Sequence, residues 1–347
     1  MTNTVDDSEE NHFKRVVHSQ ILINPGAMIA QYPCPYDIKQ FISKKRREIS
    51  DIIHGKDDRL LVVIGPCSIH NINEAIEYAK KLSITAKKHV STLLIVMRVY
   101  FEKPRTTVGW KGLIYDPHLD DTNNISDGLK LSRKLLLTIN SFQLPCACEF
   151  LQPMIVPYVS DLISWAAIDA CVASGMPHAS LSIDHWGNVV SCYTSGNEDV
   201  HVVLRGGSAT GPNYSSKHVM ETQKRLNTSN VTTKIMIDCS HGNSLKDGER
   251  QKHVIDDICQ QIAGGDQSIM GVMIESNLVG GRQTFLEGKK HLLKYGQSIT
   301  DSCLSWDVSM TQLQLLADSV AGRRNRNYQS NMVNTECVSS TNVNQHQ

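Results

Sequence analysis

The stretch LLVVIGPCSIH, residues 60–70, decides how the rest of the chain is read. Its first five residues are apolar without interruption. A run this short is below helix length and offers no polar residue to water, so it fits a strand covered on both faces. The run stops at Gly65-Pro66, and Cys67, Ser68 and His70 follow at once. Similar runs recur: LLIVMRV at 93–99, CACEFL at 146–151, LISWAAI at 162–168, ASLSI at 179–183, VVL at 202–204, KIMID at 234–238 and IMGVMI at 269–274. Helical patterns separate several of them. Glu74–Lys88 is one. Val254, Ile255, Ile258, Cys259 and Ile262 fall on one stripe, and Leu313, Leu316, Ala317 and Val320 make another. Strands alternating with helices predict an α/β fold of parallel βαβ units, which right-handed crossovers close into a TIM-type (β/α)8 barrel.

The 347 residues suit one such barrel, of roughly 250 residues, with extensions. The folded body is read as 35–325. Residues 1–34 form an N-terminal arm, partly disordered, and the Asn-, Ser- and Gln-rich tail at 326–347 is read as disordered. Lys plus Arg and Asp plus Glu both total 35, so no net charge draws the chain to nucleic acid or an anionic membrane. No apolar run approaches the ~20 residues of a membrane helix. The N-terminus is acidic and polar, unlike a secretory leader. Ten scattered cysteines without a framework spacing read as free thiols of a reducing, cytoplasmic setting.

One stretch breaks the rhythm. Only DACVASGMPH lies between Ile168 and Ala179, and a parallel crossover needs at least about 10–12 residues. Beyond ASLSI, the Trp186-Gly187-Asn188 turn signal predicts an antiparallel hairpin over 179–200.

Reactive or charged residues close the apolar runs: Cys67, Arg98, Glu149, Arg205, His241 and Glu275. In parallel barrels the catalytic groups stand at the C-terminal ends of the strands. Each alone is more often a buried cysteine or a strand cap; the shared placement is what favours function. Cys67, His241 and Glu275, with an Asp such as Asp301, would make a mixed sulfur, nitrogen and oxygen metal site. Thiolate and imidazole suit Fe, Co, Zn or Cu, and the carboxylates admit Mn. EKPRTTVGWKG at 102–112 sets Lys103 and Arg105 around Pro104, with the hydroxyls of Thr106 and Thr107 beside them. That chemistry suits phosphate, although a solvated basic turn would look the same.

GPCSIH (65–70), MRVYFEKPRTTVGWKGLIYDPHLD (97–120), VLRGG (203–207), MIDCSHGNS (236–244), GVMIES (271–276) and SITDSC (298–303) together resemble the signature of the class I 3-deoxy-D-arabino-heptulosonate-7-phosphate (DAHP) synthases. The resemblance runs from about Arg47 to Arg324, nearly the whole body. It implies condensation of phosphoenolpyruvate with erythrose 4-phosphate, releasing phosphate, at the head of the shikimate pathway of aromatic amino acid biosynthesis. It also implies one divalent metal ion (Mn, Fe, Co or Zn) held by Cys67, His241, Glu275 and Asp301. Phosphoenolpyruvate would meet Arg98, Lys103, Glu149 and Arg205. Erythrose 4-phosphate would meet Lys103, Pro104, Arg105, Thr106 and Asp301. Lys103, Cys67 and His241 would be the catalytic groups, with Lys103 as proton donor. The family habit adds a homo-oligomer, dimer or tetramer, and an aromatic amino acid inhibitor near Ser180 and Ser182.

The chain departs from the family pattern at one place. After WAAI (165–168), members continue with GARTTES, a helix and a strand carrying GFKNGTDG; here DACVASG follows directly. The missing part amounts to one βα unit of about 35 residues, which leaves seven barrel strands. In the family it carries an Arg and a Lys that bind phosphoenolpyruvate. Asp184-His185 also stands where the family's TKxG motif has its Lys. Two function classes stay open: the transferase, impaired by the loss, or a catalytically inactive or truncated paralogue acting as a regulatory or metal-binding subunit.

Overall fold

The structure is a computed structural model, and it describes residues 2–3, 18–104, 109–167, 175–228, 233–286 and 288–341. Its centre is a parallel sheet of seven strands: β1 (Leu60–Gly65), β2 (Leu93–Arg98), β3 (Cys146–Glu149), β4 (Trp165–Ala167), β7 (Val202–Leu204), β8 (Ile235–Asp238) and β9 (Ile269–Glu275). The spatial order is β4-β3-β2-β1-β9-β8-β7. β1, β2 and β9 are buried at every residue, as their unbroken apolar runs required. Register ties the strand ends together: Gly65 pairs with Glu275, and Arg98 with Ala147. The α/β, TIM-type architecture read from the sequence is the one found.

Two apolar layers flank the strands. Leu61, Val63, Leu94, Val96, Ala147, Trp165, Met236 and Met273 point inward, where Ile49, Ile52 and Ile53 meet them. Those three isoleucines close helix α2 (Tyr36–Ile53). The alternate residues, such as Leu60, Val62, Ile64, Leu93, Ile95 and Met97, face the outer helices. These helices are α3 (Ile72–Lys88), α4 (Ile125–Ser141), α5 (Ser216–Thr228), α6 (Gln251–Ala263) and α7 (Trp306–Thr341). Asn71 and Asn124 cap α3 and α4 through their side chains.

Among the described residues no pairing joins β4 to β7, so the sheet is open there. Trp165 Nε1 donates to His201 Nε2 across the opening at 3.1 Å. Among the described residues between the two strands in sequence stands the expected antiparallel hairpin, β5 (His178–Ile183) and β6 (Val189–Thr194). Asp184 Oδ1 accepts from Trp186 N and Asn188 N at 2.8 and 2.9 Å, and Gly187 takes φ +84°, which closes the turn. A short parallel pair, β10 (Val279–Arg282) and β11 (Gln297–Ser298), lies beyond β9.

The arm docks through α1 (Pro25–Gln31), with Asn24 Oδ1 capping Ala27 N at 2.8 Å. Gly26 N donates to His185 O of the hairpin turn at 2.6 Å. A Cβ at Gly26 would stand 2.8 Å from that oxygen, so the contact needs glycine. Arg133, fully buried on α4, donates to Tyr32 O at 2.8 Å, to Tyr158 O at 2.9 Å and to both Asp161 oxygens at 2.8 and 2.9 Å. Removing it strands a carboxylate and two carbonyls. Arg133→Ala is expected to cost about 2–3 kcal/mol, discounted because Asp161 is partly exposed, and a chemical denaturation curve measures it.

The tail differs from its reading. Residues 326–341, expected without regular structure, continue α7. No Gly or Pro interrupts 323–341, and propagation from a packed turn is cheap once the helix exists. Residues 342–347 lie outside the described residues. No described helix is long and apolar enough to cross a membrane.

Candidate metal centre

Three donors meet at the C-terminal ends of the strands. Cys67 sits two residues beyond β1, Glu275 ends β9, and Asp301 follows β11. Their ligand atoms lie within 4.8 Å of one another. Cys67 and Glu275 are fully buried and Asp301 is half-buried. His241 arrives from the loop after β8 with φ +50°, a left-handed backbone that turns its ring toward them. Its Nδ1 is 2.7 Å from Asp238 Oδ2, and its Nε2 is 3.8 Å from Glu275 Oε1. The bond to Asp238 leaves Nε2 as the ring atom free to bind a cation. Cys67, Glu275 and Asp301 thus share one space, and His241 reaches its edge through Glu275.

Glu275 is the hub. Arg98 Nη2 donates to its Oε1 at 3.0 Å and Ser240 Oγ to its Oε2 at 2.9 Å. Gln251 brackets its backbone, donating to its carbonyl and accepting from its N–H, each at 2.9 Å. Arg98 is almost fully buried and also donates to Pro66 O at 3.2 Å, Cys67 O at 3.4 Å and Met273 Sδ at 2.9 Å. A guanidinium has five N–H donors, so about one is left for a substrate oxygen. Lys103 Nζ is 3.2 Å from Cys67 Sγ.

Burial works against every charge here, and the neighbours answer it. Burial raises the Glu275 carboxyl, but Arg98, His241 and Lys103 hold it below its ordinary value. Burial opposes a charge on His241, yet Asp238 and Glu275 carry its pKa upward. Burial and Glu275 push the Cys67 thiol up, against Lys103 and Arg98. A thiolate, an imidazole and two carboxylates fit a divalent transition metal.

The expected substrate residues are spread more widely. Glu149 ends β3, half-buried, opposite Ala167 in register. Arg205 follows β7 and is exposed; its carbonyl accepts from Asn243 N at 3.2 Å, and its guanidinium has no partner among the described residues. Pro104 is exposed, and Arg105 and Thr106 lie outside the described residues. Sequence reading missed Asp238, Ser240 and Gln251. The Asp-x-x-His spacing in IDCSH could have flagged Asp238. Asp238→Asn is expected to weaken metal affinity about 10–100-fold, because the ring loses its orienting carboxylate. Titration with Mn(II) or Co(II) measures this, and an unchanged affinity would remove Asp238 from the site.

Comparison with known proteins agrees with the geometry. A family model described as the DAHP synthetase I family matches residues 35–182 and 166–314. The Phe-sensitive phospho-2-dehydro-3-deoxyheptonate aldolase of Escherichia coli (strain K12) is 43% identical over 350 residues, covering 91% of this chain and 99% of that protein. The Trp-sensitive enzyme of Salmonella typhimurium (strain LT2) is 40% identical over 344 residues, covering 89% and 98%. The solved structure of phospho-2-dehydro-3-deoxyheptonate aldolase from Francisella tularensis SCHU S4 aligns with a TM-score of 0.85 at 42% identity, covering 88% of this chain and 98% of that one. With strand order, site geometry and sequence in agreement over most of its length, the chain belongs to the DAHP synthetase I family.

Proposed function

We propose that the chain condenses phosphoenolpyruvate with erythrose 4-phosphate, the first step of the shikimate pathway. One observation carries the reading. A thiol and two carboxylates from three separated segments face one another, with the His241 imidazole 3.8 Å from Glu275 and Lys103 Nζ 3.2 Å from Cys67 Sγ. Cys67, His241, Glu275 and Asp301 would hold a divalent Mn, Fe, Co or Zn ion. When bound, that ion acts as a Lewis acid on the aldehyde of the sugar phosphate.

The chain's own groups supply the rest. C3 of phosphoenolpyruvate attacks the aldehyde carbon and forms a carbon–carbon bond. Lys103 Nζ gives a proton to the oxygen that becomes a hydroxyl. Water adds at C2 and loses a proton, and the resulting hemiketal phosphate expels inorganic phosphate to leave a ketone. Arg98 and Arg205 offset the carboxylate and phosphate charges of phosphoenolpyruvate, with Glu149 in the same subsite. Pro104, Arg105 and Thr106 would line the sugar phosphate's subsite. Relatives in Escherichia coli and Salmonella typhi are named Phe-, Tyr- or Trp-sensitive. By the same reading an aromatic amino acid inhibits this chain near Ser180 and Ser182, where the arm meets the hairpin. It would act as a homo-oligomer, a dimer or tetramer.

One observation favours a second reading. Among the described residues no strand joins β4 to β7, where the family pattern has another βα unit. The alignment to the Escherichia coli relative runs over 350 positions but occupies 91% of this 347-residue chain, so about thirty positions lack a counterpart here. On that reading the chain binds metal without turnover, as a truncated or regulatory paralogue. Phosphate release separates the two. The transferase releases phosphate only with both substrates, stops with a chelator and recovers with a divalent ion. Metal binding with no release leaves the second reading.

A further inference from the structure

The loop after β1 and the start of α3 hold a buried histidine and a buried carboxylate that the proposed chemistry does not use. His70 and Glu74 are each 5% exposed. His70 Nε2 lies 3.4 Å from Glu74 Oε2 and has no aligned hydrogen bond among the described residues. Glu74 Oε1 accepts from Asn71 Nδ2 at 3.0 Å, and the Gly296 backbone N–H also faces the carboxylate. A single carboxylate thus spans three pieces of chain. These are the loop that carries Cys67, the first turn of α3, and the turn at Gly296 that leads through β11 to Asp301. A second tie runs alongside, between Ser68 Oγ and Thr300 Oγ1 at 2.8 Å.

Packing alone does not call for this pair, because apolar residues would fill the space without the cost of desolvating two ionisable groups. Burial pushes Glu74 up to about 7, with Glu77 adding to it and Gly296 and Asn71 opposing. Burial, then Lys290, pushes His70 down to about 4. Tyr295 OH holds Glu77 at 3.0 Å from the other side.

We propose that His70 and Glu74 form a positioning pair that fixes the distance between the Cys67 loop and the Asp301 loop, so that two donors from separate segments reach one ion. It rests on the reading of Cys67 and Asp301 as ligands. The pair also has a signature in pH. The raised Glu74 favours the fold while protonated and loses that contribution as pH rises from 4.5 to about 7. The lowered His70 works the other way, penalising the fold as pH falls from 6.5 to about 4. The two slopes oppose each other over the shared range, and Glu74→Gln leaves the His70 slope alone.

Titration of the full chain with Co(II), read by the thiolate-to-cobalt absorption band, tests the proposal. Glu74→Ala is expected to weaken Co(II) binding about 10-fold or more. Glu74→Gln keeps an acceptor for Asn71 and is expected to stay within about 2-fold of the parent chain. Its melting temperature is expected to fall more steeply than the parent's between pH 6.5 and 4.5. Parent-like Co(II) affinity in Glu74→Ala overturns the proposal. If that variant does not fold, His70→Ala gives the same reading, with weakening expected and parent-like affinity overturning it. A parent chain with no thiolate band overturns the ligand reading itself, a different failure.

Discussion

Lys103→Met is expected to abolish turnover while the chain still takes up its metal at saturating concentration. The residue has two neighbours. Its Nζ is 3.2 Å from Cys67 Sγ, where a positive charge favours the thiolate. Its backbone N–H donates to Lys111 O at 3.0 Å. A methionine keeps the length and apolar stem and removes the charge and the proton. Loss of a positioned acid costs about 10²–10⁴-fold in rate. Metal affinity should fall only modestly, since a bound cation stabilises the thiolate by itself. The measurement is kcat from phosphate release, beside metal content after dialysis. A metal-free variant at saturating metal would assign Lys103 to ligand support instead of proton transfer.

Inserting the corresponding segment of the Escherichia coli relative after Ala167 is the second large effect. The family pattern gives that segment an Arg and a Lys for phosphoenolpyruvate. Each charge-assisted contact contributes about 1.5–3 kcal/mol, so the pair is expected to raise kcat/KM about 10²–10⁴-fold. On the family pattern the insertion would also place a strand between β4 and β7, which no described residues join. A rise in melting temperature without a rise in kcat/KM would mean the opening matters to folding alone. No change in either would mean that the present chain already closes the gap in another way.

Much of this was legible because the relevant physics is local. Unbroken apolar runs gave β1, β2, β8 and β9 directly, since a strand buried on both faces has no polar residue to blur the pattern. Trp186-Gly187-Asn188 gave the hairpin because a turn is a property of a few residues. Cys67, His241 and Glu275 were legible as candidate donors because they close apolar runs, and the fold sets Cys67 and Glu275 beside Asp301. The arm was not legible in the same way. Its docking hangs on Gly26 N meeting His185 O, a contact across more than 150 positions that no local pattern announces. His70–Glu74 stayed hidden for a related reason. An acid four residues after a histidine on a helix start reads as a solvated pair until burial is known. Arg98 was legible as a charge at a strand end, but its bonds to Glu275 and the Cys67 loop were not.

The unjoined seam divides the molecule into a firm half and a soft one. Backbone amides bordering β4 and β7 lack the ladder that slows their exchange with solvent, so deuterium should enter there first. The strands carrying Cys67 and Glu275 lie at the far side of the sheet, flanked by neighbours, and should exchange last. Glu149 and Arg205 sit beside the seam, while Cys67 and Glu275 do not. If Glu149 and Arg205 take the organic acid as proposed, breathing of the wall would blur its recognition and leave the Cys67 and Glu275 side untouched.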